Sequence, residues 1–234
     1  MIRRIAIIPA RGGSKRIPNK NIREFCGRPM VAYVLDAARS SGLFDKIHVS
    51  TDSNKIAKVV KSLGFPVDFM RPQFLADDHA PIMPVLKYVL EQYSIVNCAF
   101  DEVWLLMACS PNISDQHLLN ASSLLQSLTP GLSLVSISEY PVPIEWAFSR
   151  SPSGKLQAIQ PGMYTRRSQD FEARYYDTGT FAVFSSSTVL ESSGANSNTQ
   201  YAGYVLPKGT AIDIDTESDW AMAEALHKAS GEER

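Results

Sequence analysis

The chain has 234 residues, 44% of them apolar and 20% charged, with 23 Lys+Arg against 24 Asp+Glu for a net charge of −1. A chain of this length is closer to one large domain than to two, can bury a full core without disulfide or metal staples, and is too apolar for intrinsic disorder. Near-neutral charge removes any global electrostatic case for nucleic acid or an anionic membrane, so a bound anion must be met by a local cluster. The opening Met1-Ile2-Arg3-Arg4-Ile5-Ala6-Ile7-Ile8 has the look of a signal peptide, but its apolar run is short and Pro9-Ala10-Arg11 follows directly. Ile5–Ile8 instead reads as a strand buried on both faces, β-branched at three of four positions. A Gly-rich basic loop follows, from Ala10 to about Gly27. Pro29 suits a first helical turn, Val31, Val34, Leu35 and Ala38 share one helical face, and Gly42 is a stop. Ile47 and Val49 alternate in a strand ending at Ser50-Thr51-Asp52. Ser53 can then cap a helix carrying Ile56, Val59, Val60 and Leu63, closed by Gly64.

The alternation continues. Val67–Met70 suggests a strand, and Ile82, Val85, Leu86 and Val89 mark a helix opened by Pro81. Val103–Cys109 is a buried strand, Ser114 or Asp115 caps the next helix, and Leu132–Ile137 is a fifth strand. From Glu139 to about Asp177 the periodicity fails among Pro141, Pro143, Pro152 and Pro161. That stretch is either a surface excursion or a substrate cover or dimer arm. Strand-like Phe181–Phe184 and Tyr204–Leu206 follow, and a last helix from Thr216 to Ala229 packs through Trp220, Ala223 and Leu226 or close neighbours. Strands separated by helices imply right-handed crossovers and a mostly parallel sheet with helices on both faces. With no internal repeat or linker, residues 1–234 read as one domain with an excursion at about 139–177. No stretch approaches the roughly 20 apolar residues of a membrane span. Cys26, Cys98 and Cys109 are too scattered for a disulfide framework or a thiolate site, which points to a reducing, cytoplasmic setting.

Ligands of open α/β sheets bind beyond the carboxyl ends of the strands. The first such end carries two Arg, two Lys, two Gly and a Ser between Arg11 and Lys20, including Gly13, Ser14 and Lys15. Glycines let backbone N–H groups approach an anion while Lys and Arg neutralise it, so this loop is expected to bind phosphate. It matches neither the P-loop nor the dinucleotide pattern. A second candidate is Ala211-Ile212-Asp213-Ile214-Asp215-Thr216-Glu217. In a strand, Asp213 and Asp215 would face one side as a pair of hard oxygen ligands suited to Mg2+. The other reading has Asp215 or Thr216 cap the helix that follows. A third stretch, Tyr164 to Asp170 with Tyr175 to Gly179, could clamp a carboxylated, hydroxyl-rich substrate through its arginines, or be a polar dimer arm. His48, His79, His117 and His227 show no metal spacing.

The run Ile7-Ile8-Pro9-Ala10-Arg11-Gly12-Gly13-Ser14-Lys15-Arg16-Ile17-Pro18-Asn19-Lys20-Asn21 resembles the opening motif of the CMP-nonulosonate, or acylneuraminate, cytidylyltransferases. The similarity extends through Phe25-Cys26-Gly27-Arg28-Pro29-Met30, Val49-Ser50-Thr51-Asp52, Arg71-Pro72 and Leu75-Ala76-Asp77-Asp78. It resumes at Thr165–Phe181 and closes at Ile212–Trp220. Within that family, Phe25-Cys26-Gly27, Arg167-Ser168-Gln169-Asp170 and Tyr176-Asp177-Thr178-Gly179 are similar to the CMP-pseudaminic acid synthetases of surface-glycan and flagellin glycosylation. Sialic acid enzymes usually carry Gln-Pro-Thr-Ser-Pro after the fourth strand. Met107-Ala108-Cys109-Ser110-Pro111 stands here, closer to the Ala-Thr-Ala-Pro of pseudaminate enzymes.

The resemblance implies a Rossmann-like sheet and a homodimer in which a projecting arm completes the partner's site. It implies that Ala10, Arg11, Gly13, Ser14, Lys15, Lys20 and Asn21 bind CTP phosphates and sugar, with Arg71, Ala76 and Asp78 near the cytosine. Asp213 and Asp215 would anchor Mg2+, and Arg166, Arg167, Gln169, Tyr176 and Asp177 would meet the sugar acid. The implied reaction is attack of the sugar's anomeric hydroxyl on the α-phosphorus of CTP, with Arg11, Lys15, Lys20 and Asp215 as the catalytic set. A nucleotidylyltransferase for another sugar acid or a sugar phosphate would share these features, and so would a catalytically idle nucleotide-binding protein.

Overall fold

The computed structural model describes residues 2–77, 80–192 and 200–229. Ile5–Ile8 form the centre of β1 (Arg4–Pro9), and all four side chains are fully buried. Ala6 and Ile8 face one helical layer while Ile5 and Ile7 face the other. A strand covered on both faces must be apolar at every position, which is why this run does not alternate.

A two-strand hairpin, β2 (Glu24–Phe25) and β3 (Arg28–Pro29), leads into α1 (Met30–Ser41), which ends at Gly42 in the left-handed region. Then come β4 (Lys46–Ser50), α2 (Asn54–Ser62), α3 (Ile82–Ile95), β5 (Glu102–Leu106), α4 (Asp115–Ser127) and β6 (Ser133–Glu139). Local chemistry sets the helix starts. Ser53 Oγ accepts the Ile56 N–H at 3.4 Å. Ser114 and His117 cap α4 reciprocally, the Ser114 hydroxyl taking the His117 N–H at 3.3 Å. Beyond β6 lie the small hairpin β7 (Phe148–Arg150) and β8 (Leu156–Ala158), then β9 (Tyr175–Ser185), α5 (Ser186–Glu191), β10 (Tyr201–Val205) and α6 (Glu217–Ala229).

Six strands form one sheet in the order β10-β6-β9-β5-β1-β4. β1 is parallel to β4 and β5, β6 is parallel to β10, and β9 runs antiparallel between β5 and β6. The α/β, mostly parallel architecture expected from the sequence is therefore the one observed. Helices α1, α2 and α4 cover one face through Leu35, Val60 and Leu118, and α3 and α5 cover the other through Leu86, Val89 and Val189. A third cluster, Ile17, Phe25, Met30, Ile214 and Trp220, ties the basic loop to the start of α6.

Three expectations change. Val67–Met70 is not a strand. Pro66 and Pro72 flank it without N–H donors, and side chains hold it, with the Phe69 ring stacked on His48 at 4.4 Å. Residues 211–215 also form no strand: among the described residues no ladder pairing reaches them, and the Ile214 carbonyl accepts from the Lys20 ammonium. Burial still alternates there, with Ile214 inside and Asp213 exposed. The β5 ladder stops at Leu106, and the chain turns at Ala108–Cys109.

The aperiodic stretch after β6 leaves the sheet as expected. It holds single 3-10 turns and the β7–β8 hairpin, and it returns where Tyr175 pairs with Glu139. Phe148, Leu156, Ile159 and Tyr164 are exposed on it.

Candidate active site

The basic loop begins as a continuation of β1. The Ala10 N–H donates to the Ser50 carbonyl at 2.9 Å, and the Gly12 N–H donates to Asp52 Oδ1 at 2.9 Å. A Cβ on Gly12 would lie 2.9 Å from the Ser53 Cβ, so only glycine lets the loop pass this close to the cap of α2. Ile17 is buried in the third cluster and pins the middle of the loop. Asn19 takes a left-handed conformation, and Asn21 closes the loop by donating from Nδ2 to the Arg11 carbonyl at 3.0 Å.

Between these anchors the loop faces a cleft of about 320 Å3 beyond the carboxyl ends of β1 and β5, a size suited to a small ligand. Arg11, Ser14, Lys15, Arg16 and Lys20 line it, with Met107, Cys109 and Ser110 from the turn after β5. Thr178, Gly179 and Thr180 of β9 also line it, as does Asp213.

The Asp215 carboxylate is 2.7 Å from the Arg16 guanidinium and 3.5 Å from the Lys20 ammonium. It does not cap α6. Thr216 does so with Asp219: the Asp219 N–H donates to Thr216 Oγ1 at 3.2 Å, and the Thr216 N–H donates to Asp219 Oδ2 at 2.7 Å. The Thr216 hydroxyl donates to Asp219 Oδ2 at 2.8 Å, and this bond, with those from the Thr216 and Asp215 N–H groups, holds the Asp219 carboxyl below its ordinary range. Asp215 is thereby left for the cations of the loop. Burial pushes the Cys109 thiol up to about 11, with Asp213 and Asp215 adding to the rise and Lys20 opposing it.

Of the residues singled out by sequence, Arg11, Ser14, Lys15, Lys20, Asn21, Arg71 and Asp213 line this one cleft, and Asp215 joins it through Arg16 and Lys20. Ala10, Gly13 and Ala76 are not on its wall. Arg71 is buried and faces backbone: its guanidinium donates to the Ser50 hydroxyl at 3.0 Å and the Ser50 carbonyl at 2.6 Å. Burial lowers it to about 10. Asp78 lies outside the described residues. Arg166, Arg167, Gln169, Tyr176 and Asp177 are not brought to this cleft. Arg166 packs over Phe171 at 4.9 Å, and Arg167 reaches Asp170 at 3.3 Å. Sequence reasoning gave no site role to Arg16, Cys109 or Thr180, and it held Thr178 only within the Tyr175–Gly179 stretch. The Arg16 position could have been read from the basic run, whereas the others depend on how β9 and the β5 turn meet.

Residues 5–129 match the family model described as cytidylyltransferase. The chain is 34% identical over 99% of its length to a pseudaminic acid cytidylyltransferase of Campylobacter jejuni, covering 99% of that protein. It is 30% identical to a CMP-N,N'-diacetyllegionaminic acid synthase of Legionella pneumophila, again over 99% of each chain. In fold it is similar to a CMP:2-keto-3-deoxy-manno-octonic acid synthetase solved with CTP, at a TM-score of 0.69 and 17% identity, covering 97% of this chain and 99% of that one. Full-length similarity to enzymes of one kind, together with a family match over the half that carries the basic loop, means that this chain belongs to the cytidylyltransferase family.

Proposed function

We propose that the protein transfers CMP from CTP to the anomeric hydroxyl of a nonulosonic acid, releasing pyrophosphate, and that pseudaminic acid is its preferred acceptor. The observation that carries this reading is one cleft lined by the basic loop and Asp213, with Asp215 joined to the loop through Arg16 and Lys20. In-line attack on the α-phosphorus builds charge on the leaving pyrophosphate, and Arg11, Lys15 and Lys20 stand where they can neutralise it. The names of the similar full-length proteins support a nonulosonic acid as acceptor, and Met107–Pro111 favours pseudaminic acid over N-acetylneuraminic acid.

Mg2+ fits the donor set. Asp213 and Asp215 offer hard carboxylate oxygens beside the loop, and no group of three metal-ligating side chains occurs among the described residues. An ion held there would take its other ligands from nucleotide phosphates and water, as Mg2+ commonly does. When bound, it would supply further neutralisation of phosphate charge.

A homodimer belongs to the same reading. A second copy would cover the exposed Phe148, Leu156, Ile159 and Tyr164, and its Arg166, Arg167, Gln169, Tyr176 and Asp177 would serve the sugar acid. The product, an activated sugar made in the cytoplasm, would feed surface-glycan or flagellin glycosylation.

A coupled pyrophosphate assay with CTP over a panel of nonulosonic acids tests the reading. Release that requires a sugar acid, with higher kcat/KM for pseudaminic than for N-acetylneuraminic acid, is expected. CTP binding without release would identify an idle nucleotide-binding protein instead. Equal or better kcat/KM with N-acetylneuraminic acid would overturn the acceptor choice alone.

A further inference from the structure

β6 and β9 pair at Ile137–Asp177 and again at Val135–Ala182, so a single residue, Ser136, stands opposite four, Thr178 to Phe181. A bulge of this size leaves backbone groups without ladder partners, and buried ones must be satisfied elsewhere. Side chains do so here. The Gly179 N–H donates to Asp177 Oδ1 at 2.8 Å, and the Thr180 N–H donates to Thr178 Oγ1 at 3.4 Å. The Phe181 N–H donates to Ser136 Oγ at 3.0 Å. Ser136 Oγ also lies 2.7 Å from Thr178 Oγ1 and 3.0 Å from the Phe181 carbonyl, while the Thr178 hydroxyl donates to the Ser136 carbonyl at 3.1 Å. From β5's side, the Met107 N–H donates to the Thr180 carbonyl at 2.9 Å.

Ser136 is fully buried and does not line the cleft, whereas Thr178, Gly179 and Thr180 do. Gly179 sits at φ +61, and a Cβ there would meet nothing within 4 Å, so its exposed side is open space. This wall is neutral, built of hydroxyls and backbone, unlike the cationic loop that suits a triphosphate. Such groups recognise a hydroxyl- and amide-bearing acceptor.

We propose that Ser136 is a positioning residue that holds the Thr178–Thr180 bulge as the acceptor wall of the cleft, so that selection of the sugar acid depends on a hydroxyl that does not touch it. This rests on the reading that a nonulosonic acid is the acceptor.

The test compares wild type with Ser136→Ala, using CTP and whichever nonulosonic acid the wild type turns over best. Misplacing a binding wall by about an ångström can cost up to about 10²-fold. The expected result is a sugar-acid KM raised about tenfold or more, with the CTP KM within about twofold of wild type. A merely structural role would lower the melting temperature and the active fraction but leave both KM values alike. Unchanged sugar-acid KM, or both KM values rising together, would overturn the proposal. Should Ser136→Ala not fold, Gly179→Asn decides, since Asn tolerates the left-handed region and its side chain enters the open space. The same KM split is expected, and its absence overturns the proposal. Failure of the wild type to release pyrophosphate with any nonulosonic acid would instead overturn the acceptor reading, and the proposal with it.

Discussion

The Cys109 thiol donates a hydrogen bond to Asn21 Oδ1 at 3.2 Å, and the Asn21 amide donates in turn to the Arg11 carbonyl at 3.0 Å. The turn after β5 thus holds the shape of the basic loop after β1, across 88 residues of sequence. Burial keeps the thiol protonated, so it remains a donor at neutral pH.

Replacing that donor should therefore act on nucleotide binding. Cys109→Ser retains a donor and should keep the CTP KM near wild type. Cys109→Ala should raise it about three- to tenfold, the range of one net hydrogen bond. Steady-state kinetics in CTP check this, and an Ala variant that matches the Ser variant would remove Cys109 from the loop's support.

Asp215→Asn separates charge from architecture. Its bridge to the mostly exposed Arg16 contributes little stability, so the melting temperature should fall by no more than about 2–4 °C. Turnover should fall about 10²–10³-fold, with partial recovery at high Mg2+. Thr216→Ala is the contrast: loss of the α6 cap should lower the melting temperature by about 2–4 °C without changing the Mg2+ dependence. Near-normal turnover of Asp215→Asn at limiting Mg2+ would end its candidacy.

Arg71 is bonded to Ser50 and, at 3.4 Å, to the Leu75 carbonyl, so it joins the end of β4 to the turn at 73–75. Lys cannot reproduce that fork. Arg71→Lys should destabilise by about 2–3 kcal/mol and lower the melting temperature by about 5–10 °C. An unchanged melt with a raised CTP KM would make it a nucleotide ligand rather than a clamp.

His48 gives the fold a dependence on acid. Its ring is buried, Nε2 has no hydrogen-bond partner, and Nδ1 is 3.1 Å from the Tyr93 hydroxyl. Burial lowers it to about 4; Lys46 and Arg71 add to the fall, and Asp68 opposes it. The folded protein therefore refuses a proton that the unfolded chain accepts below its ordinary value near 6.5. Stability present above pH 6.5 should be lost as pH falls toward about 4, by about 3 kcal/mol in all. Urea melts across that window check the slope, and His48→Leu should flatten it. Asp68, whose pKa is lowered, would lose its contribution only below the ordinary carboxylate value.

What was legible in the sequence was whatever neighbouring residues decide among themselves. The apolar run of β1, the Ser53 cap and the glycine stops at Gly42 and Gly64 each follow from a few adjacent residues. The basic loop was legible for the same reason, since its cations lie within ten residues of Arg11. Val67–Met70 misled because Phe69 packs against the His48 and Tyr93 rings and Val67 against the core beside α2, with no ladder between them. Ala211–Asp215 misled because no described strand pairs with it, and a distant lysine bonds the Ile214 carbonyl.

The sequence by itself determined the α/β class, the basic Gly-rich loop and the Asp213–Asp215 spacing, because spacing, charge and capping act over one or two turns of chain. Only the tertiary structure decided that β9 enters antiparallel between β5 and β6, that Ser136 faces four residues across a bulge, and that Thr178–Thr180 rather than Tyr176 and Asp177 line the cleft. It also decided that Asp215 goes to Arg16 and Lys20 rather than to the start of α6. These outcomes depend on which unpaired backbone groups and charges meet across long loops, and every buried one must find a partner that no local pattern names.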